Sequence, residues 1–274
     1  MKIIIAPDSF KASMTASEAA VAIQRGVRKV LPDVDIAKIP MADGGEGTVS
    51  ALVASTKGRF VETTAFDPLG NEITGKYGIL GDEKTAVIEM AAVSGLPLVP
   101  LEKQNPLNTT TFGTGELIRD ALEAGCREFI IGIGGSATND AGTGMAQALG
   151  VKFFRKDGSE ITELMRGGLL REVAHIDVSG MHSAIADSHV TVACDVDNPL
   201  LGERGCAHVY APQKGATPEI VKRLDNDMAH FIDIAEDATG SSVRDVPGAG
   251  AAGGLGAGLM AFLNAELKPG IELV

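Results

Sequence analysis

Ile131-Gly132-Ile133-Gly134-Gly135-Ser136-Ala137-Thr138-Asn139-Asp140-Ala141-Gly142-Thr143-Gly144 joins a very apolar run, Glu128–Ile133, to a helical one, Gly144–Leu149. A buried strand that feeds a glycine-rich turn and then a helix is the repeating unit of α/β sheets. The glycines free backbone N–H groups and the helix start adds its own, so such a turn is an anion site suited to phosphate. Gly134, Gly135, Ser136, Ala137 and Thr138 are therefore candidate residues for binding a phosphate or a carboxylate. No Gly-Lys-Ser/Thr follows, so this is not a Walker A loop. Ala137 stands where the third glycine of G-x-G-x-x-G belongs, which weakens a dinucleotide reading. A tight structural turn is the plainer alternative.

Towards the N-terminus, the apolar run Lys2–Ala6 closes on Pro7-Asp8 and reads as a buried parallel strand. Thr15 or Ser17 can cap the helix that follows, with Glu18 in its first turn and Pro32 at its end. A second strand, Asp35–Ile39, a loop over Met41–Thr48 and a helix over Val49–Ser55 complete the opening of a doubly wound lobe. After Gly58 the runs Arg59–Phe66, Glu72–Leu80 and Thr85–Met90 alternate apolar and polar residues like antiparallel strands. Towards the C-terminus the pattern gives a helix over Gly115–Ala124, a strand over Val190–Cys194, a long helix over Pro218–Thr239 and another over Ala252–Asn264. The final residues, 268–274, read as a loop entering a strand, an ending that suggests a truncated chain.

Four further segments carry chemistry-bearing residues at the ends of these runs. Asp8, Ser9 and Lys11 follow the first strand, and ligands of open α/β sheets bind beyond the carboxyl ends of strands. Asp43 and Glu46 sit in Met41–Thr48, which holds three glycines in eight residues and suits a hydroxyl group or Mg²⁺. Asp195 and Asp197 alternate after the Val190–Cys194 strand and suit a general base or a metal clamp. The run from Pro247 to Gly258, with Gly253 and Gly254 at its centre, could admit a nucleotide against bare backbone or pack closely as a small-residue helix.

Composition limits the alternatives. With 45% hydrophobic and 4% aromatic residues and no Trp, the core must rest on Ala, Val, Ile and Leu. The 34 glycines form no G-X-Y repeat, which excludes collagen. A net charge of −12 argues against nucleic acid. No apolar stretch is long enough for a membrane helix and no basic flank precedes the first strand, so neither membrane insertion nor a signal peptide is expected. Cys126, Cys194 and Cys206 lie far apart and read as reduced thiols of a cytoplasmic protein. The histidines lack metal-ligand spacing.

Taken together, Pro7-Asp8-Ser9-Phe10-Lys11, Asp43-Gly44-Gly45-Glu46-Gly47-Thr48, the Gly134–Gly144 loop, Cys194-Asp195-Val196-Asp197-Asn198-Pro199-Leu200 and Gly248–Gly254 resemble the bacterial glycerate kinases in order and separation. The resemblance implies an α/β fold of two lobes: a Rossmann-like parallel-sheet lobe begun by residues 1–58, and an inserted mixed α/β domain over residues 59–267. Residues 268–274 would start the return segment, and the family continues well past Val274. It also implies ATP- and Mg²⁺-dependent phosphorylation of glycerate, usually at the 2-hydroxyl. In that reading Asp8, Ser9, Lys11, Asp43 and Glu46 bind glycerate, while Gly134–Thr138 with Gly253 and Gly254 bind ATP. Asp140 and Asp197 hold Mg²⁺, and Asp195 and Lys11 are catalytic. Glycerate and ATP are the only partners expected, with homo-oligomerisation left open. A truncated nucleotide- or glycerate-binding module and a nicotinamide-dependent oxidoreductase are the rival readings.

Overall fold

The computed structural model describes residues 1–8, 10, 13–39, 41 and 47–273. It opens with β1 (Lys2–Ile5), α1 (Ala16–Val30) and β2 (Asp35–Lys38), and the two strands pair in parallel as a small separate sheet. Thr15 caps α1 through a full capping box with Glu18, satisfying two otherwise orphaned amides. The chain continues through α2 (Thr48–Thr56) into β3 (Arg59–Phe66), β4 (Glu72–Ile79) and β5 (Thr85–Glu89), then α3 (Ala91–Ser94) and α4 (Phe112–Glu123). Next come β6 (Glu128–Gly132), α5 (Thr143–Ala148), the antiparallel pair β7 (Lys152–Phe154) and β8 (His175–Asp177), and β9 (His189–Ala193). The described chain closes with α6 (Cys206–Tyr210), α7 (Pro218–Thr239), α8 (Ala251–Leu263) and β10 (Glu266–Lys268).

Six strands form the central sheet in the order β10-β9-β6-β5-β4-β3. The β3–β4–β5 side is antiparallel, as the alternating sequence requires, and β5, β6, β9 and β10 run parallel. Along these strands the side chains alternate between two apolar layers. Ala86, Ile88, Phe129 and Ile131 enter the main core with Leu117 and Ile118 of α4, Met145 of α5, Phe231 of α7 and Leu259 of α8. Val87 and Ile130 face the other way, towards Val49, Leu52 and Val53 of α2.

Within residues 1–58, the span expected to begin the N-terminal lobe, α2 packs on the six-stranded sheet. Gly78 provides the seat: a Cβ there would stand 2.4 Å from a Val53 methyl and 2.9 Å from a Val49 methyl. Two differences lie at the C-terminus. The expected strand in 268–274 is instead β10, Glu266–Lys268, which extends the central sheet beside β9, and Gly270–Glu272 is a 3-10 turn. The helix expected from Ala252 is regular only from Leu255, because Ala252, Gly253 and Gly254 hold left-handed φ values of 53°, 71° and 86°.

Candidate functional site

The parallel strands end in register. Glu89 lies opposite Gly132, Gly132 opposite Ala193, and Ala193 opposite Lys268. The segments that follow β6 and β9, the glycine-rich loop and Cys194–Leu200, therefore emerge side by side at one edge, where ligands of α/β sheets bind. The Gly248–Gly254 run joins them. Gly250 N donates to Asn198 O at 2.9 Å, and a Cβ on Gly253 would meet Thr138 O at 2.0 Å. Only a residue without a side chain allows two backbones to approach so closely. Gly253 and Gly254 are thus buried against the loop, supporting it from behind.

The segment after β2 meets the end of β5 at Gly47. Met41 N donates to Pro7 O at 2.9 Å, which sets the segment after β2 beside the one after β1. Glu89 then accepts hydrogen bonds from Gly47 N and Val49 N at the start of α2. Asp8 is exposed beyond β1. The expected substrate ligands Ser9, Lys11, Asp43 and Glu46 lie outside the described residues.

In the loop itself, Gly134 and Gly135 are exposed and Gly135 has φ +75°. Among the described residues neither of their amides has an intramolecular acceptor. They fit the phosphate donor set expected of them. Ser136, Ala137 and Thr138 are buried and do a different job. Ala137 N donates to Ser94 O, and the Ser136 hydroxyl accepts from Thr138 N at 3.0 Å, so these residues lock the loop's shape.

The acidic residues separate by environment. Asp140 is fully buried, and its carboxylate accepts from Thr111 N, Thr111 Oγ1, Gly142 N and Gly144 N. Burial pushes its pKa upwards, against the pull of those hydrogen bonds. With both oxygens committed to the protein, Asp140 does not fit a magnesium site: it pins the loop to the start of α4. Asp195 and Asp197 are exposed and do not converge. Asp195 Oδ1 accepts from Gly270 N at 2.9 Å, and Asp197 pairs with Arg204 at 3.3 Å. Among the described residues no cluster of three potential metal ligands forms. The three cysteines are unbridged.

Sequence reasoning missed Glu89, Asn139 and Lys214. Glu89 was legible as an acid ending an apolar strand. Lys214 looks like a solvated turn residue, yet it is 2% exposed, and its Nζ donates to Thr138 O at 2.6 Å and Ser136 Oγ at 3.2 Å. Asn139 is also buried; its Nδ2 approaches Cys206 Sγ at 3.7 Å, and among the described residues its Oδ1 has no partner.

Comparison with known proteins identifies the family. The sequence model of the glycerate kinase family matches residues 3–274. The chain is 57% identical to a glycerate kinase of Bacillus subtilis (strain 168), covering all of this chain and 71% of that protein. It is 53% identical to glycerate 2-kinase of Escherichia coli (strain K12), again over its whole length and 71% of the relative. A crystal structure described as glycerate kinase 2 from Salmonella typhimurium LT2 superimposes with a TM-score of 0.94 at 50% identity, covering all of this chain and 73% of that one. This chain belongs to the glycerate kinase family.

Proposed function

We propose that this chain transfers the γ-phosphoryl group of ATP to glycerate, at the 2-hydroxyl, giving ADP and 2-phosphoglycerate. The observation that carries the reading is the shared edge of β5, β6, β9 and β10, where the loop bearing the exposed Gly134 and Gly135 and the segment bearing the exposed Asp195 leave the adjacent strands β6 and β9. Phosphoryl transfer asks a protein mainly for positioning and charge neutralisation, and an edge that offers donors to phosphate and a base to a hydroxyl supplies both. In this reading the ATP phosphates lie on the Gly134 and Gly135 amides. Asp195 orients or deprotonates the attacking hydroxyl, and Gly270 N holds its carboxylate in place. Asp8, Ser9, Lys11, Asp43 and Glu46 come from the two N-terminal segments and take the glycerate.

Mg²⁺ is held mostly by phosphates and water with one or two carboxylates. The exposed Asp197 fits that modest demand and the saturated Asp140 does not. When bound, the ion would neutralise charge on the phosphates. We place the reaction in the cytoplasm, where ATP is available and free thiols stay reduced; no helix among the described residues is long and apolar enough to cross a membrane. The test is ADP release from MgATP by the purified chain, with and without D-glycerate. Glycerate-dependent release supports the reading, and glycerate-independent release or none from folded protein opposes it.

A further inference from the structure

A buried ammonium is costly unless something answers its charge. Lys214 is delivered beneath the glycine-rich loop by the turn Pro212–Lys214, and Gly215 closes that turn at φ +91°. A Cβ on Gly215 would lie 2.1 Å from Gln104 O, so the backbone there accepts no other residue. The lysine is held in place, yet no carboxylate lies within ion-pair distance of it among the described residues. The titratable groups that face it are Cys206 of α6 and Asp140 of the loop. Cys206 is pushed up to about 12 by burial and is a neutral thiol, and Asp140, bonded to its own four donors and outside ion-pair distance, offsets the ammonium's charge only in part, since burial still lowers the lysine overall. The ammonium's own contacts are Ser136 Oγ and Thr138 O, the loop residues next to the exposed Gly134 and Gly135 amides.

We infer that Lys214 is a positioning residue for nucleotide phosphates: its ammonium fixes Ser136 and Thr138 from behind and supplies the positive charge that a phosphate on the Gly134 and Gly135 amides answers. This rests on the kinase reading above. The glycerate carboxylate is the other anion of the reaction, and the two anions are separable by experiment. Burial lowers the Lys214 pKa to about 8, so the charge is present below that pH and lost above it. Phosphate binding favours the protonated form, and nucleotide affinity therefore falls as pH rises through that value.

The test uses Lys214→Met and Lys214→Arg in the full chain, reading KM for ATP and for D-glycerate from about pH 7 to about pH 9.5, with ADP binding by calorimetry. Lys214→Met should raise the ATP KM and the ADP Kd by about tenfold or more, while the glycerate KM stays within about twofold. The wild-type ATP KM should climb above pH 8, the methionine variant should show no climb, and the arginine variant should recover most of the affinity. An unchanged ATP KM in Lys214→Met overturns the inference, and so does a rise confined to the glycerate KM. Should that variant not fold, the wild-type profile decides: a flat ATP KM across the range overturns the inference. A wild-type chain that binds no ADP overturns the kinase reading and this inference with it. Wild-type binding with an unaffected variant overturns this inference alone.

Discussion

Glu89 Oε1, at the carboxyl end of β5, accepts hydrogen bonds from Gly47 N at 2.9 Å and Val49 N at 3.0 Å. One carboxylate thus caps α2 and ties the acid- and glycine-rich segment ending at Gly47 to the sheet that carries the glycine-rich loop. Glu89→Ala removes a charged acceptor from a helix N-terminus and should cost about 1–2 kcal/mol of stability by denaturant unfolding. Because the tethered segment is the one assigned to glycerate, the glycerate KM should rise more than the ATP KM. An equal rise in both would mean that the tether acts on the fold as a whole.

Asp195 offers a clean separation of roles. Asparagine can still accept the Gly270 N–H bond through its amide oxygen, so Asp195→Asn should leave the unfolding midpoint close to wild type. It cannot serve as a base, and turnover should drop at least ~100-fold. Near-normal turnover would reduce Asp195 to a cap on the Gly270–Glu272 turn.

Asp140 makes the opposite forecast. Its carboxylate accepts four hydrogen bonds in a dry environment, and an asparagine NH₂ would face some of those donors. Asp140→Asn should therefore destabilise the protein by about 2–4 kcal/mol, as expected when a buried hydrogen-bonded network is broken. If Asp140 instead bound magnesium, the variant would keep its stability and change only the Mg²⁺ dependence of turnover.

Gly253→Ala tests the support behind the loop. The new methyl would collide with Thr138 O while the backbone stays at φ +71°, so both sterics and conformation oppose it. Thermal unfolding should show a loss of about 2–4 kcal/mol, accompanied by a raised ATP KM as the loop shifts. A variant with normal stability and ATP KM would show that the loop does not depend on this contact.

Much of this was readable wherever a local signal matched the final environment. Thr15 and Glu18 announce the start of α1 because the capping box is satisfied within four residues. Thr217, Pro218 and Gly240 delimit α7 because cap, first-turn proline and left-handed glycine are all local devices. The alternation in β3 and β4 marks antiparallel strands, since a period of two needs no knowledge of the partner. The glycine-rich loop and the Cys194–Leu200 segment follow β6 and β9, as the apolar runs before them required.

What stayed hidden depends on contacts distant in the chain. The docking of α2 on the central sheet follows from the missing side chain of Gly78, and nothing near Val49 or Val53 signals it. β10 is three residues long and exists because β9 offers it an edge. Asp140 misled and Lys214 went unnoticed for the same reason. A loop acid and a turn lysine both look solvent-facing, and only tertiary packing saturates one and buries the other. The alternation of Asp195 and Asp197 suggested a shared direction, but Gly270 and Arg204 draw them to separate partners.

The central claim is that this chain moves a phosphoryl group from ATP to glycerate, and phosphorus NMR of the reaction reads donor and acceptor together. With MgATP, D-glycerate and the purified chain, the account predicts loss of the γ-phosphate signal and growth of ADP and of one phosphomonoester resonance matching 2-phosphoglycerate. Omitting glycerate should stop all three changes. ATP consumed to inorganic phosphate without a phosphomonoester, or no change from folded, monodisperse protein, would contradict it.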